Sequence, residues 1–120
     1  MEKEFVTYEL ALKMKQLGFD EPCFAFYDEE EYLFTVREQD DIYEEWLIAP
    51  TFSQAFRWFR EKYSMYHQIH KGYGWEGIVR ESNNNESILW HDGTYNSPEE
   101  AELACLEKLL SIVEEKQEEK

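Results

Sequence analysis

The chain has 120 residues, of which 42% are apolar and 17% aromatic, and 27 acidic against 12 basic side chains give it a net charge of −15. This aromatic content excludes a disordered acidic tail, because such tails lack the side chains that build a core. The longest apolar run spans only residues 23–27, which excludes a membrane-spanning helix, so we expect one globular domain over residues 1–120.

The N-terminal residues and the cysteines indicate the compartment. The chain begins with MEKE, which holds no apolar signal core, so we do not expect secretion. Cys23 and Cys105 lie in apolar segments and no CxxC pair is present, which indicates buried free thiols rather than a disulfide. Free thiols are typical of the cytoplasm.

The first predicted element is a helix over residues 8–17. Thr7 is suited to cap its N-terminus, and apolar side chains follow at helical spacing. Gly18 supplies the left-handed position after the helix, and Phe19 is expected to fold back onto Met14.

Short β-rich segments follow. Residues 23–27 and 32–36 are predicted to form a hairpin around the acidic turn at 28–31, and residues 42–49 are expected to add a strand. Both faces of the hairpin are apolar, so it is either covered by other elements or part of an interface. A homodimer is therefore one expected arrangement, because three helices offer limited cover.

A second helix is predicted after Pro50, where residues 51–54 (TFSQ) match a capping box. Four aromatic residues then fall on one helical stripe and are expected to pack into the core: Phe52, Phe56, Phe59 and Tyr63. Trp58 lies off this stripe, which makes it a candidate for contact with a partner.

Three further strands are predicted over residues 65–71, 75–81 and 88–91. A glycine-rich turn separates the first two, and residues 82–86, which include three consecutive asparagines, are expected to form a hairpin loop. The Asp92-Gly93 pair is predicted to end the last strand as a turn.

The third helix has the clearest start signal, with Ser97 as N-cap, Pro98 in the first turn and Glu100 completing a capping box. Its predicted buried stripe contains Ala101, Cys105, Leu109, Ile112 and Val113, whereas residues 114–120 hold no apolar side chain and are expected to fray. The sequence thus predicts a single α+β domain, with three helices packed on a mainly antiparallel sheet of about four to five strands.

Three segments carry a resemblance: FVTYELALKMKQLGFDEPCFAFYD at 5–28, APTFSQAFRWFREKY at 49–63 and YNSPEEAELACLEKLLSIVEE at 95–115. Together they resemble a group of small uncharacterised proteins encoded by phages, prophages and mobile elements of gut bacteria. The resemblance implies the cytoplasm of a bacterial host cell and an accessory role for the mobile element. The group has no assigned activity, so it transfers no functional residue.

Candidate chemistry is sparse in this sequence. His67 and His70 have an H-x-x-H spacing, but on a strand they point to opposite faces, so we expect no metal site. The glycine pattern at residues 72–77 leads into a strand rather than a helix, so it does not predict a dinucleotide cofactor. We predict no catalytic residue, no cofactor and no metal.

The charge is uneven along the chain. Residues 1–40 hold 4 basic and 11 acidic side chains, residues 41–80 hold 5 of each, and residues 81–120 hold 3 and 11. Binding of nucleic acid by the whole surface is therefore disfavoured. The candidate interaction surface combines basic and aromatic residues, mainly from the neutral middle: Arg57, Trp58, Arg60, Tyr73, Trp75 and Trp90.

These observations favour a non-enzymatic protein-interaction module that binds an unidentified protein partner, because aromatic patches often anchor interfaces. In its sharper form the acidic surface imitates nucleic acid and occupies a basic partner. Two alternatives stay open. One is a small enzyme or ligand binder in which His67, His91 and Cys105 converge; the other is a nucleic-acid binder that uses the neutral middle third.

Overall fold

The computed structural model describes residues 4–37, 40–82 and 87–118. The α+β class is confirmed, but the described strands form two three-stranded antiparallel sheets instead of one sheet of four to five strands. The elements in chain order are α1 (Tyr8–Gln16), β1 (Ala25–Tyr27), β2 (Leu33–Thr35), β3 (Leu47–Ile48), α2 (Phe52–Tyr63), β4 (Met65–Lys71), β5 (Trp75–Glu81), β6 (Ser87–Tyr95) and α3 (Pro98–Glu118).

The chain divides into two compact units, unit 1 (Met1–Ala55) and unit 2 (Phe56–Lys120). The organisation as a single domain stays a prediction. Across the described ranges, none of the helices is long and apolar enough to cross a membrane.

In unit 1, α1 begins and ends as its sequence predicts. The backbone N–H of Leu10 donates to the Thr7 hydroxyl at 3.4 Å. After the helix, Gly18 has φ 101° and the N–H of Phe19 donates to the Met14 carbonyl at 2.9 Å. This hydrogen bond is the Schellman closure, which returns a buried aromatic ring to the last turn of the helix.

The sheet of unit 1 has the order β2-β1-β3. Its α1 side carries Tyr27, whose hydroxyl donates to the Val6 carbonyl at 2.7 Å and whose ring meets Tyr8 edge-on at 5.5 Å between centroids. The predicted hairpin is confirmed, although its strands are shorter than expected. The predicted strand over residues 42–49 is reduced to β3, because the backbone turns between Tyr43 and Trp46, where an N–H···O bond of 3.1 Å closes the turn.

The acidic turn between β1 and β2 uses one of its carboxylates to close the hairpin. Asp28 Oδ1 accepts hydrogen bonds from the N–H groups of Glu30 at 2.8 Å and Tyr32 at 3.0 Å. Glu31 takes the left-handed conformation, with φ 69°. The Asp28 carboxylate therefore stabilises the turn, so this acidic residue has a structural role.

In unit 2, the sheet has the order β4-β5-β6 and α3 packs on one face of it. Gly77, in the middle of β5, allows the close approach: a Cβ at this position would lie 2.9 Å from Cys105 Sγ on α3. Phe56 and Phe59 of α2 are buried, as the aromatic stripe predicts.

The last strand is longer than predicted. Asp92 and Gly93 do not end it in a turn, because β6 continues to Tyr95. The register between β5 and β6 shifts twice, once between Val79 and Arg80 and once between Trp75 and Gly77. At each shift β6 has one residue more than the part of β5 that it pairs with. The predicted loop at 82–86 lies outside the described residues except for Ser82.

The start of α3 confirms the predicted cap. The Ser97 hydroxyl accepts from the N–H of Glu100 at 3.1 Å, and the Glu100 carboxylate accepts from the N–H of Asn96 at 3.0 Å. The helix continues to Glu118, so residues 114–118 are helical, and residues 119–120 of the segment expected to fray lie outside the described residues. A salt bridge of 3.0 Å between Lys116 Nζ and Glu81 ties this polar segment to β5.

Candidate functional site

The candidate site lies in unit 1, on the face of the sheet opposite to the Tyr27 side chain, where the C-terminal part of α1 contributes Lys15. Phe26 of β1 is paired with Phe34 of β2 and with Ile48 of β3, so these three side chains share that face. The turn that shortens β3 brings Tyr43 and Trp46 beside them. Loop and strand residues together thus form one aromatic surface.

Trp46 is the centre of an aromatic cluster, which we define as Phe26, Phe34, Tyr43 and Trp46. Its ring centroid lies 4.7 Å from that of Phe34, 4.9 Å from that of Tyr43 and 6.0 Å from that of Phe26. The first two contacts are edge-to-face. Such pairs contribute roughly 0.5–1.5 kcal/mol each beyond area burial, so the cluster stabilises the loop on the sheet.

The cluster borders an open pocket of about 410 Å³. Its apolar lining consists of Pro22, Cys23, Phe26, Ile42, Tyr43, Trp46 and Ile48. Phe26 at its base is buried, whereas Ile42 and Tyr43 at its edge keep 52% and 54% of their surface exposed. A pocket of this size and apolar character suits a few side chains of a bound molecule.

Charged residues complete the pocket lining and make it acidic. Three carboxylates, those of Asp20, Glu21 and Glu44, stand against one cation, Lys15. The pocket therefore has a local excess of negative charge within a chain of net charge −15. An electrostatic field of this sign attracts cationic groups and repels anions.

Cys23 contributes a thiol, a potential nucleophile, to the pocket, but this thiol is poorly suited to react. Its thiol lies 3.4 Å from Gln54 Oε1 and is half-buried. Burial raises the pKa of the Cys23 thiol to about 11; the hydrogen bond with Gln54 opposes this and the nearby Glu21 charge adds to it. The thiol is therefore neutral at physiological pH.

Alkylation provides a test of this environment. We expect iodoacetamide to modify Cys23 about a hundredfold more slowly at pH 7.5 than it modifies free cysteine, because the thiolate is the reactive form. Mass spectrometry of peptides after digestion gives the rate at Cys23 separately from that at Cys105, the other free cysteine. A Gln54→Ala variant keeps Cys23 but removes the side chain that contacts its thiol, so its rate shows how far Gln54 limits the access of iodoacetamide to the thiol. A rate for the unmodified sequence equal to that of free cysteine would contradict the assigned pKa.

The residues predicted as an interaction surface are not gathered into one exposed patch. Trp58 is only 5% exposed, and it packs edge-on against Phe59 and Tyr63 with Lys62 Nζ 5.1 Å from its ring centroid. Trp58 is therefore buried although it lies off the predicted stripe, so the buried face of α2 is wider than that stripe. Arg57 on the same helix is exposed.

The other predicted surface residues lie on the sheet of unit 2 or its turns, apart from Arg60, which is exposed on α2. Tyr73 is fully exposed in the β4–β5 turn. Trp75 and Trp90 are half-buried on β5 and β6, where Lys71 Nζ lies 5.3 Å from the Trp75 ring centroid. These side chains remain candidates for contact with a partner.

His67, His91 and Cys105 do not converge. Gly77 faces Cys105, and strand alternation with the observed pairing places His67 on the same face but His91, paired with Ile78, on the opposite one. His91 instead lies 3.8 Å from Glu76. Within residues 4–37, 40–82 and 87–118, no group of three His, Cys, Asp or Glu side chains could hold a metal ion.

The aromatic pocket was not predicted from the sequence. Tyr43 and Trp46 were assigned to a strand, whose alternation would have sent them to opposite faces. The signal that could have located the site is the sequence IYEEW at residues 42–46, an apolar and aromatic segment with the high acidity of a loop. Comparisons of the chain with known protein families, with curated proteins and with solved structures gave no match.

Proposed function

We propose that this chain is a non-enzymatic protein-interaction module that holds a partner protein in the aromatic pocket of unit 1. The observation that supports the proposal is the pocket itself: a buried aromatic base beside half-exposed Tyr43 and Ile42. Exposed aromatic side chains next to a concave apolar surface are the usual anchors of protein interfaces.

The partner is a protein with basic character, because the pocket and the chain as a whole are acidic. A nucleic-acid mimic is the form of this proposal in which the partner normally handles nucleic acid. The setting that we propose, the cytoplasm of a bacterial host and a phage or mobile-element origin, rests on the sequence resemblance and on the free thiols.

Paired affinity capture tests this function. The unmodified chain, Tyr43→Ala and Tyr73→Ala are immobilised and exposed to lysate of a gut bacterium. Tyr43→Ala removes an edge of the pocket, whereas Tyr73→Ala removes an exposed ring from unit 2. We expect a protein that the unmodified chain and Tyr73→Ala retain and that Tyr43→Ala loses by about tenfold or more, the size of a hot-spot truncation.

Circular dichroism of both variants provides the folding control. If every retained protein binds Tyr43→Ala as strongly as the unmodified chain, the pocket is not the interface. A loss with Tyr73→Ala alone would instead support the surface of unit 2 that contains Trp75 and Trp90.

A further inference from the structure

We infer that the pocket selects a protein segment in which an arginine or lysine side chain stands next to an aliphatic one; this inference rests on the proposed function and specifies its partner. The aliphatic part follows from the base of the pocket. Phe26 is buried there and Ile48 is its neighbour in the sheet, so the innermost surface offers carbon contacts. A branched aliphatic side chain is matched to such a surface because it loses apolar area to water without burying a polar group.

The cationic part follows from the lining charges. Asp20 and Glu44 place carboxylates at a pocket that also exposes Tyr43 and Trp46. A guanidinium or ammonium group is favoured by both features, since it pairs with carboxylates and is attracted to aromatic rings. The carbon stem of the same side chain covers apolar surface while its charge stays at the solvent boundary.

A second copy of the chain fits the pocket less well. Two copies would each bring a net charge of −15 to the contact, and repulsion between like charges opposes their approach at low salt. The homodimer that the apolar hairpin predicts would therefore have to use another surface. The occupant of the pocket is therefore a cationic segment of a partner protein.

Synthetic peptides test the inference directly. The probe is acetyl-Gly-Leu-Arg-Leu-Arg-Gly-amide, and its matched control carries citrulline, a neutral group of the same shape, in place of both arginines. Binding is measured by the shift of the Trp46 indole N–H signal in nitrogen-15 spectra. At low salt we expect the arginine peptide to bind about fivefold more tightly than the citrulline peptide.

Two lining variants predict changes of opposite sign. Glu44→Gln removes a carboxylate and should weaken the arginine peptide about twofold to threefold, whereas Lys15→Gln removes the competing cation and should strengthen it by a similar factor. Neither variant should change binding of the citrulline peptide. The preference for arginine should decrease at about 1 M salt, where charges are screened beyond about 3 Å.

Several results would overturn the inference. Equal binding of the two peptides would show apolar recognition alone, and absence of a Trp46 shift with both at about 5 mM would show that the pocket does not take this ligand. In either case a Tyr43-dependent partner in the capture experiment would leave the proposed function standing. A doubled mass in light scattering that Tyr43→Ala abolishes would assign the pocket to a second copy.

Discussion

Replacing Gly77 by alanine should lower the free energy of unfolding by about 2–3 kcal/mol, the cost of forcing a methyl group into a packed interior. A Cβ at this position would lie 2.9 Å from Cys105 Sγ and 3.2 Å from both the Ala101 carbonyl oxygen and a ring carbon of Trp90. The Cys105 and Ala101 atoms belong to α3, and the Ala101 oxygen is part of the helix backbone. The contact is relieved only if the helix moves away from the sheet.

Urea denaturation of the variant and the unmodified chain measures the effect. Gly72→Ala is the matched control, since a Cβ there would meet the Glu76 carboxylate, the flexible end of a side chain, at 3.2 Å. It should change the free energy of unfolding by less than about 1 kcal/mol. Combining Gly77→Ala with Cys105→Ala should restore part of the loss, because the nearest atom is removed. Equal stability of both glycine variants would contradict the close helix–sheet approach.

Acidification from pH 6.5 to pH 4 should remove about 2 kcal/mol of stability through His67 alone. Its ring stacks on Phe56 with 3.5 Å between centroids, and its Nδ1 is buried with no hydrogen-bond partner among the described residues. Burial lowers the pKa of His67 from 6.5 to about 4, and the charge of Arg60 adds to the shift. The value of about 2 kcal/mol is smaller than the full shift implies, because the ring is partly exposed to solvent.

The sign follows from the direction of the shift. The pKa of His67 is lower in the folded state than in the unfolded chain, so the unfolded chain takes up the proton first. The stabilising contribution is complete above about pH 6.5 and is lost as the pH falls toward 4. His67→Phe keeps a ring against Phe56 without a titrating group, so its stability should depend less on pH over this interval. His70→Gln, at an exposed position on the same strand, is the control for removing a histidine from β4.

Urea denaturation at pH 7, 6, 5 and 4 provides the comparison. Carboxylates also titrate in this interval, but they are common to all three proteins and cancel in the differences. Parallel curves for the unmodified chain and His67→Phe would show that the buried imidazole does not contribute to acid sensitivity.

Local signals made the starts of α1 and α3, the end of α1 and the limits of β4 and β5 predictable. Thr7, Gly18 and Ser97 act through hydrogen bonds to residues three to five positions away, so their effect is contained in a short stretch of sequence. The strands β4 and β5 begin and end where the sequence predicts them, because glycines and a helix end define their limits.

The aromatic pocket depends on contacts between residues distant in sequence, which explains why the sequence did not reveal it. Residues 42–49 are predicted to form a strand, but Trp46 gains its ring contacts from Phe34 and Phe26 because the chain turns between Tyr43 and Trp46. Such tertiary contacts override local preference. Trp58 shows the same limitation on a helix, since it lies off the predicted stripe but is buried and contacts Phe59 and Tyr63.

The irregular pairing of β6 has a consequence for behaviour at high concentration. This strand forms the outer border of its sheet and exposes Ile88 and Leu89, features that invite added chains and fibril growth. Its two shifts in register break the regular row of amide groups that an incoming strand would need as a template. Along this edge the irregular backbone therefore disfavours regular pairing with a strand of another chain, although Ile88 and Leu89 are exposed.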